Sequence, residues 1–62
     1  MIECYRIVCQ IKGWYSKPTN LVGNKERCQS YANQLNNMLI KQHSTVRYVI
    51  VADRVKKDDI TL

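Results

Sequence analysis

Residues 4–12 read Cys4-Tyr5-Arg6-Ile7-Val8-Cys9-Gln10-Ile11-Lys12, and their alternation sets how the rest of the chain is read. Tyr5, Ile7, Cys9 and Ile11 share one side, while Cys4, Arg6, Val8, Gln10 and Lys12 share the other. A period of two with β-branched and aromatic side chains is the pattern of a half-buried strand. Gly13 ends it, or Trp14 and Tyr15 carry it past a kink. Residues 16–23 hold the sole proline and one of the two glycines among polar turn formers, which predicts a connection. Leu21 and Val22 are expected to pack back from it.

From Asn24 the period changes. Cys28, Tyr31, Ala32, Leu35, Met38 and Leu39 recur at helical spacing and form one apolar stripe. Asn24 is a good N-cap, because its side-chain oxygen can accept from the unpaired N–H groups of the first turn. Glu26 near the start and Lys41 near the end have the signs that the helix dipole favours. The pattern predicts a helix over 24–42. Its outer face, with Lys25, Gln29, Asn33, Asn36, Asn37 and Lys41, carries amides more than ion pairs.

Residues 45–53 form a second stretch of high β propensity. Val46, Tyr48, Ile50 and Ala52 share one side; Arg47, Val49, Val51 and Asp53 share the other. Strand, helix, strand with a long crossover predicts an α/β fold: a minimal βαβ unit with parallel strands and one amphipathic helix packed on a small sheet. Residues 1–53 make the single domain. Residues 54–62 make a charged C-terminal tail, mobile or adding a short strand through Ile60 and Leu62.

Sixty-two residues leave room for one core and little more. Two strands and a helix rarely stand alone, and the side turned from the helix shows Val8, Val49 and Val51 among its polar residues. Homo-oligomerisation, with a dimer favoured, completes such a fold by joining strand edges or stacking the valine side. The alternative is a single chain in which residues 14–22 and the tail supply further strands.

Composition narrows the function. No apolar run approaches the roughly 18 residues of a membrane span, and the first residues lack the basic and apolar regions of a signal peptide. The expectation is a cytoplasmic protein without a membrane partner. Cys4, Cys9 and Cys28 are odd in number and match neither a disulfide framework nor the paired spacing of zinc ligands. They read as small apolar residues, so no metal and no cofactor is expected. With one histidine and no nucleophile, phosphate-loop or paired-carboxylate motif, the chain is not expected to be an enzyme.

The formal charge is +5. Residues 53–62 hold three cations and three carboxylates, so the excess belongs to residues 1–52, with seven cations and two carboxylates. It divides among three surfaces. Lys12, Trp14, Tyr15 and Lys17 put aromatics between lysines at a strand end, which suits stacking on bases or gripping a protein partner. Arg6 and Arg47 lie on the side of the sheet away from the helix. Lys25, Arg27 and Lys41 lie on the helix. A solvated surface, with Trp14 lidding the helix end, is the plainer alternative.

Three segments together resemble something known: Tyr5-Arg6-Ile7-Val8; Asn24-Lys25-Glu26-Arg27-Cys28 leading to Tyr31-Ala32 and Leu35-Asn36; and Val46-Arg47-Tyr48-Val49-Ile50-Val51. The pattern is similar to short βαβ proteins encoded by bacteriophages and mobile elements. That resemblance implies action by binding in the host cytoplasm: a host-takeover or anti-defence factor that blocks an acidic host protein or sequesters an anionic nucleotide. It assigns no site residue. The second reading is a small nucleic-acid-binding protein using the Trp14 loop and the basic surface.

Overall fold

The computed structural model describes residues 1–11 and 15–62, with backbone alone at Tyr15. Strand β1 spans Ile2–Ile11, β2 Tyr15–Gly23, helix α1 Lys25–Lys41 and β3 Arg47–Val55, followed by a single 3-10 turn over Lys57–Asp59. The sheet has three strands in the order β2-β1-β3. Both outer strands run antiparallel to β1.

The architecture is therefore α/β, a three-stranded antiparallel sheet with one helix, and it corrects the parallel βαβ reading. The crossover helix is present, but the strands that it joins, β2 and β3, lie on either side of β1. The expected connection over 16–23 is instead most of a strand. Its turn-forming composition is accommodated by irregularity at an edge. Arg6 pairs with Val22 and Val8 with Pro18, so Thr19, Asn20 and Leu21 bulge opposite Ile7. The Thr19 hydroxyl donates to the Ile7 carbonyl at 2.7 Å and accepts from the Leu21 amide at 3.1 Å, which anchors the bulge. Pro18 has no N–H to give and is tolerated because β2 is an edge strand.

Helix α1 starts where the Asn24 cap predicts. Asn24 Oδ1 accepts from the Arg27 amide at 2.7 Å. At the other end the His43 amide donates to the Ile40 carbonyl at 3.0 Å and the Ser44 amide to the Leu39 carbonyl at 2.9 Å. With His43 at φ 57°, this is a Schellman closure in which a histidine holds the left-handed position that usually belongs to glycine.

The helix lies over the side of the sheet that carries Ile7. Tyr5, Ile7 and Cys9 stand opposite Ala52, Ile50 and Tyr48, so these six residues share that side, as their alternation predicts. Ile7, Cys28 and Ala32 are fully buried there. Burying an isoleucine side chain completely contributes about 1.5–3 kcal/mol.

The other side of the sheet carries a second cluster: Cys4, Val22 and Val55 are buried and Ile60 packs against them. The cover is the tail. After β3 the chain turns back to the edge of β2, where the Thr61 and Leu62 amides donate to the Val22 carbonyl at 2.9 and 2.8 Å. The Thr61 hydroxyl closes the contact, accepting from the Val22 amide at 3.0 Å and donating to the Asn20 carbonyl at 2.7 Å. Residues 54 and 55 belong to β3, and residues 60–62 are docked on the sheet. Among the described residues no helix is long and apolar enough to cross a membrane.

Candidate binding surface

The six residues singled out in the sequence do not converge. Lys12 and Trp14 lie outside the described residues, and of Tyr15 only the backbone position at the start of β2 is described. Lys17 is exposed and stands opposite Cys9, on the helix side of the sheet. Arg6 and Arg47 lie on the opposite side, opposite Val51 and Gln10 on the neighbouring strand. Four residues of β3 separate their register positions, roughly 13 Å at the usual strand rise.

Both arginines are occupied by the fold. Arg6 Nε donates to Asp53 Oδ2 on β3 at 2.7 Å, and its Nη1 donates to the Thr19 carbonyl on β2 at 2.6 Å. One guanidinium thus ties all three strands together from the centre. The hydrogen bond from Arg6, with a second from the Arg54 amide, holds the Asp53 carboxyl below its ordinary range. Arg47 Nη1 donates to the Ser44 and Val46 carbonyls at 2.6 and 2.7 Å, which fixes the loop between helix and strand.

Cys4 and Cys28 are buried and Cys9 is half-buried; all three are free thiols. Burial pushes the Cys28 thiol up, and as a neutral donor it meets the Tyr5 carbonyl at 3.3 Å. Burial likewise raises the Tyr48 phenol, with Cys9 beside it as a second cause. Neither group is set to ionise near neutral pH, so neither is an activated nucleophile. Among the described residues no group of three or more His, Cys, Asp or Glu side chains is placed to hold a metal ion.

What the sequence did not disclose is how the two sheet edges are treated. The outer edge of β2 is met by the tail at Val22. On the outer edge of β3, Asn36 reaches down from the helix: its Oδ1 accepts from the Tyr48 amide at 2.7 Å and its Nδ2 donates to the Tyr48 carbonyl at 2.9 Å. Further along that edge, Asp53 Oδ1 accepts from the Arg54 amide at 2.7 Å. In an antiparallel ladder outward-facing backbone groups recur at every second residue. Ile50 and Ala52, between these two caps, therefore present their amides and carbonyls outward, and no described residue meets them. The only hint in the sequence was an amide-rich helix face where ion pairs are more usual.

A shallow depression of about 730 Å³ is lined by Glu3, Cys4, Tyr5, Ala52, Asp53 and Arg54. Its charges are already paired, Asp53 with Arg6 and Glu3 with Arg54 at 2.9 Å. The free charge lies elsewhere. Lys17, Lys25, Arg27, Lys41, Lys56 and Lys57 are exposed, and the ion pairs among the described residues include none of them. Compared with protein-family models, curated proteins and solved structures, the chain matches none.

Proposed function

We propose that this chain is a small, non-catalytic basic binding protein that acts by occupying an acidic partner. The observation that carries this reading is the division of its cations: Arg6 and Arg54 are ion-paired within the sheet and Arg47 is held by two loop carbonyls, whereas Lys17, Lys25, Arg27, Lys41, Lys56 and Lys57 are left to the solvent. Dispersed positive charge steers an acidic surface into contact without forming a groove that tracks a nucleic-acid backbone. The resemblance to phage and mobile-element proteins makes the partner an acidic host protein or an anionic nucleotide, met in the host cytoplasm.

The test is the fluorescence of Trp14 during titration with an acidic polypeptide, with nucleotides, and with single-stranded DNA and RNA, each at low and moderate salt. Binding of the acidic polypeptide or a nucleotide with a shallow salt dependence supports the proposal. Binding of nucleic acid alone, falling steeply with log salt as counterions are released, favours the second reading, in which Lys12, Trp14, Tyr15 and Lys17 form the contact. No response to any of them at low salt overturns both.

A further inference from the structure

We infer that two copies of this chain join through the outer edge of β3, in an antiparallel pairing centred on Val51. The edge itself argues for this occupant. Asn36 seals the Tyr48 end and Asp53 seals the Arg54 amide, which leaves a window of four backbone groups at Ile50 and Ala52. A second copy presents the same window. Turned about a two-fold axis through Val51, Ile50 of one copy faces Ala52 of the other, and all four backbone groups of Ile50 and Ala52 in each copy are used. A longer foreign strand would have to displace Asn36 or leave its own groups unpaired against the caps.

The side chains fit the same register. Val51, which is 42% exposed in the single chain, lies directly against the partner's Val51 at a position without ladder hydrogen bonds, where side chains approach most closely. Val49 stands opposite the partner's Asp53, and Tyr48 opposite the partner's Arg54, so no like charges are opposed. The helix flank above this edge, with Gln29, Asn33 and Asn36, carries no charge, and Ile40 is exposed one turn beyond Asn36. The outer edge of β2 offers no such fit, because Thr61 and Leu62 already occupy Val22 and Pro18, the next outward position before the bulge, has no amide to give. A three-residue ladder is short, so the association belongs to the weak, reversible class.

This inference does not depend on the proposed function, and salt tells the two apart. Two chains of charge +5 repel, so pairing strengthens as salt screens them, whereas capture of an acidic partner weakens. Sedimentation equilibrium of the unaltered protein, from about 10 µM to about 1 mM, should show a reversible species of twice 7.3 kDa that grows with concentration. Ala52→Pro removes an outward amide that the β1–β3 ladder does not use, and proline is tolerated on such an edge. It should raise the dissociation constant about 30-fold, the loss of two net hydrogen bonds per dimer.

Val51→Cys should form an interchain disulfide on mild oxidation. Val49→Cys should not, because its two copies would be roughly 13 Å apart along the strands, beyond the reach of a disulfide. The unaltered protein, oxidised in parallel, accounts for Cys4, Cys9 and Cys28. Faster cross-linking of V51C than of V49C supports the register even if A52P fails to fold. A single 7.3 kDa species over the whole range, or equal cross-linking of the two cysteine variants, overturns it.

Discussion

Replacing His43 with glycine should make this protein more stable, although His43 lies in no core and makes no side-chain hydrogen bond among the described residues. The reason is its backbone. At φ 57° an L-residue brings its Cβ close to the following carbonyl oxygen, at a cost of about 1–2 kcal/mol. The position is held because the Ser44 and His43 amides close the helix end on Leu39 and Ile40. Glycine adopts the same conformation without the clash, so His43→Gly recovers that strain. It also gives the unfolded chain more freedom, which takes back about 0.4–1 kcal/mol. The net expectation is a gain of about 0.5–1 kcal/mol. With an unfolding entropy of about 2.1 cal/mol/K per residue over 62 residues, that gain corresponds to a rise in Tm of roughly 4–8 °C. The assay is thermal unfolding followed by far-ultraviolet circular dichroism at pH 7 and one fixed protein concentration, since any self-association shifts Tm. His43→Ala is the control: it keeps the Cβ and the strain, and should leave Tm nearly unchanged. If glycine lowers Tm while alanine does not, the left-handed strain is not stored at this position and the reasoning fails.

Two further outcomes test the packing of the sheet. Asp53 has a folded carboxyl value below its ordinary one, so the folded state binds its proton more weakly than the unfolded state. The stability that it contributes is fully present above the unfolded value, near 4, and is lost as pH falls through the folded value. Melting curves between about pH 2 and 6 should therefore show an acid-side loss of stability that is smaller in Asp53→Asn, and equal slopes for the two proteins would refute the assignment. At Gly23 an added Cβ would come within 2.8 Å of the Leu62 Cβ and 3.0 Å of its carbonyl oxygen. Gly23→Ala should push residues 60–62 off β2 and raise amide exchange at Thr61 and Leu62 by about tenfold or more, the loss of roughly one to two net hydrogen bonds. Unchanged protection at both amides would show that the tail is not held at this point.

The arginines show how far composition misleads about a site. A basic residue on a sheet reads as available for a partner because its neighbours across strands cannot be seen in the chain. Arg6 meets Asp53 and Thr19 at separations of 47 and 13 residues, and both contacts exist only once the three strands are in register. Arg47 is engaged by nearer groups, the carbonyls of Ser44 and Val46, but only in the loop conformation that the helix end imposes. The Asn36 contact with Tyr48 is of the same kind: amides on an outer helix face are ordinary until a strand edge lies beneath one of them.

The sequence by itself determined what depends on neighbours along the chain. Period two marked β1 and β3 and the sides of the sheet to which Ile7, Tyr48 and Ile50 belong, because alternation follows from the extended backbone alone. Helical spacing and the Asn24 cap marked α1, because those interactions close within one turn. The tertiary structure decided β2, the direction of pairing and the place of the tail. Ser16, Lys17 and Pro18 have the local preferences of a turn, and they are extended because β1 offers them partners; β propensity yields to context in this way. Once that segment pairs, β1 becomes the central strand, both neighbours run against it, and one edge is met at Val22 by Thr61 and Leu62. The other edge keeps its window at Ile50 and Ala52, because a strand's unpaired groups are set by which neighbour it has gained and which it lacks.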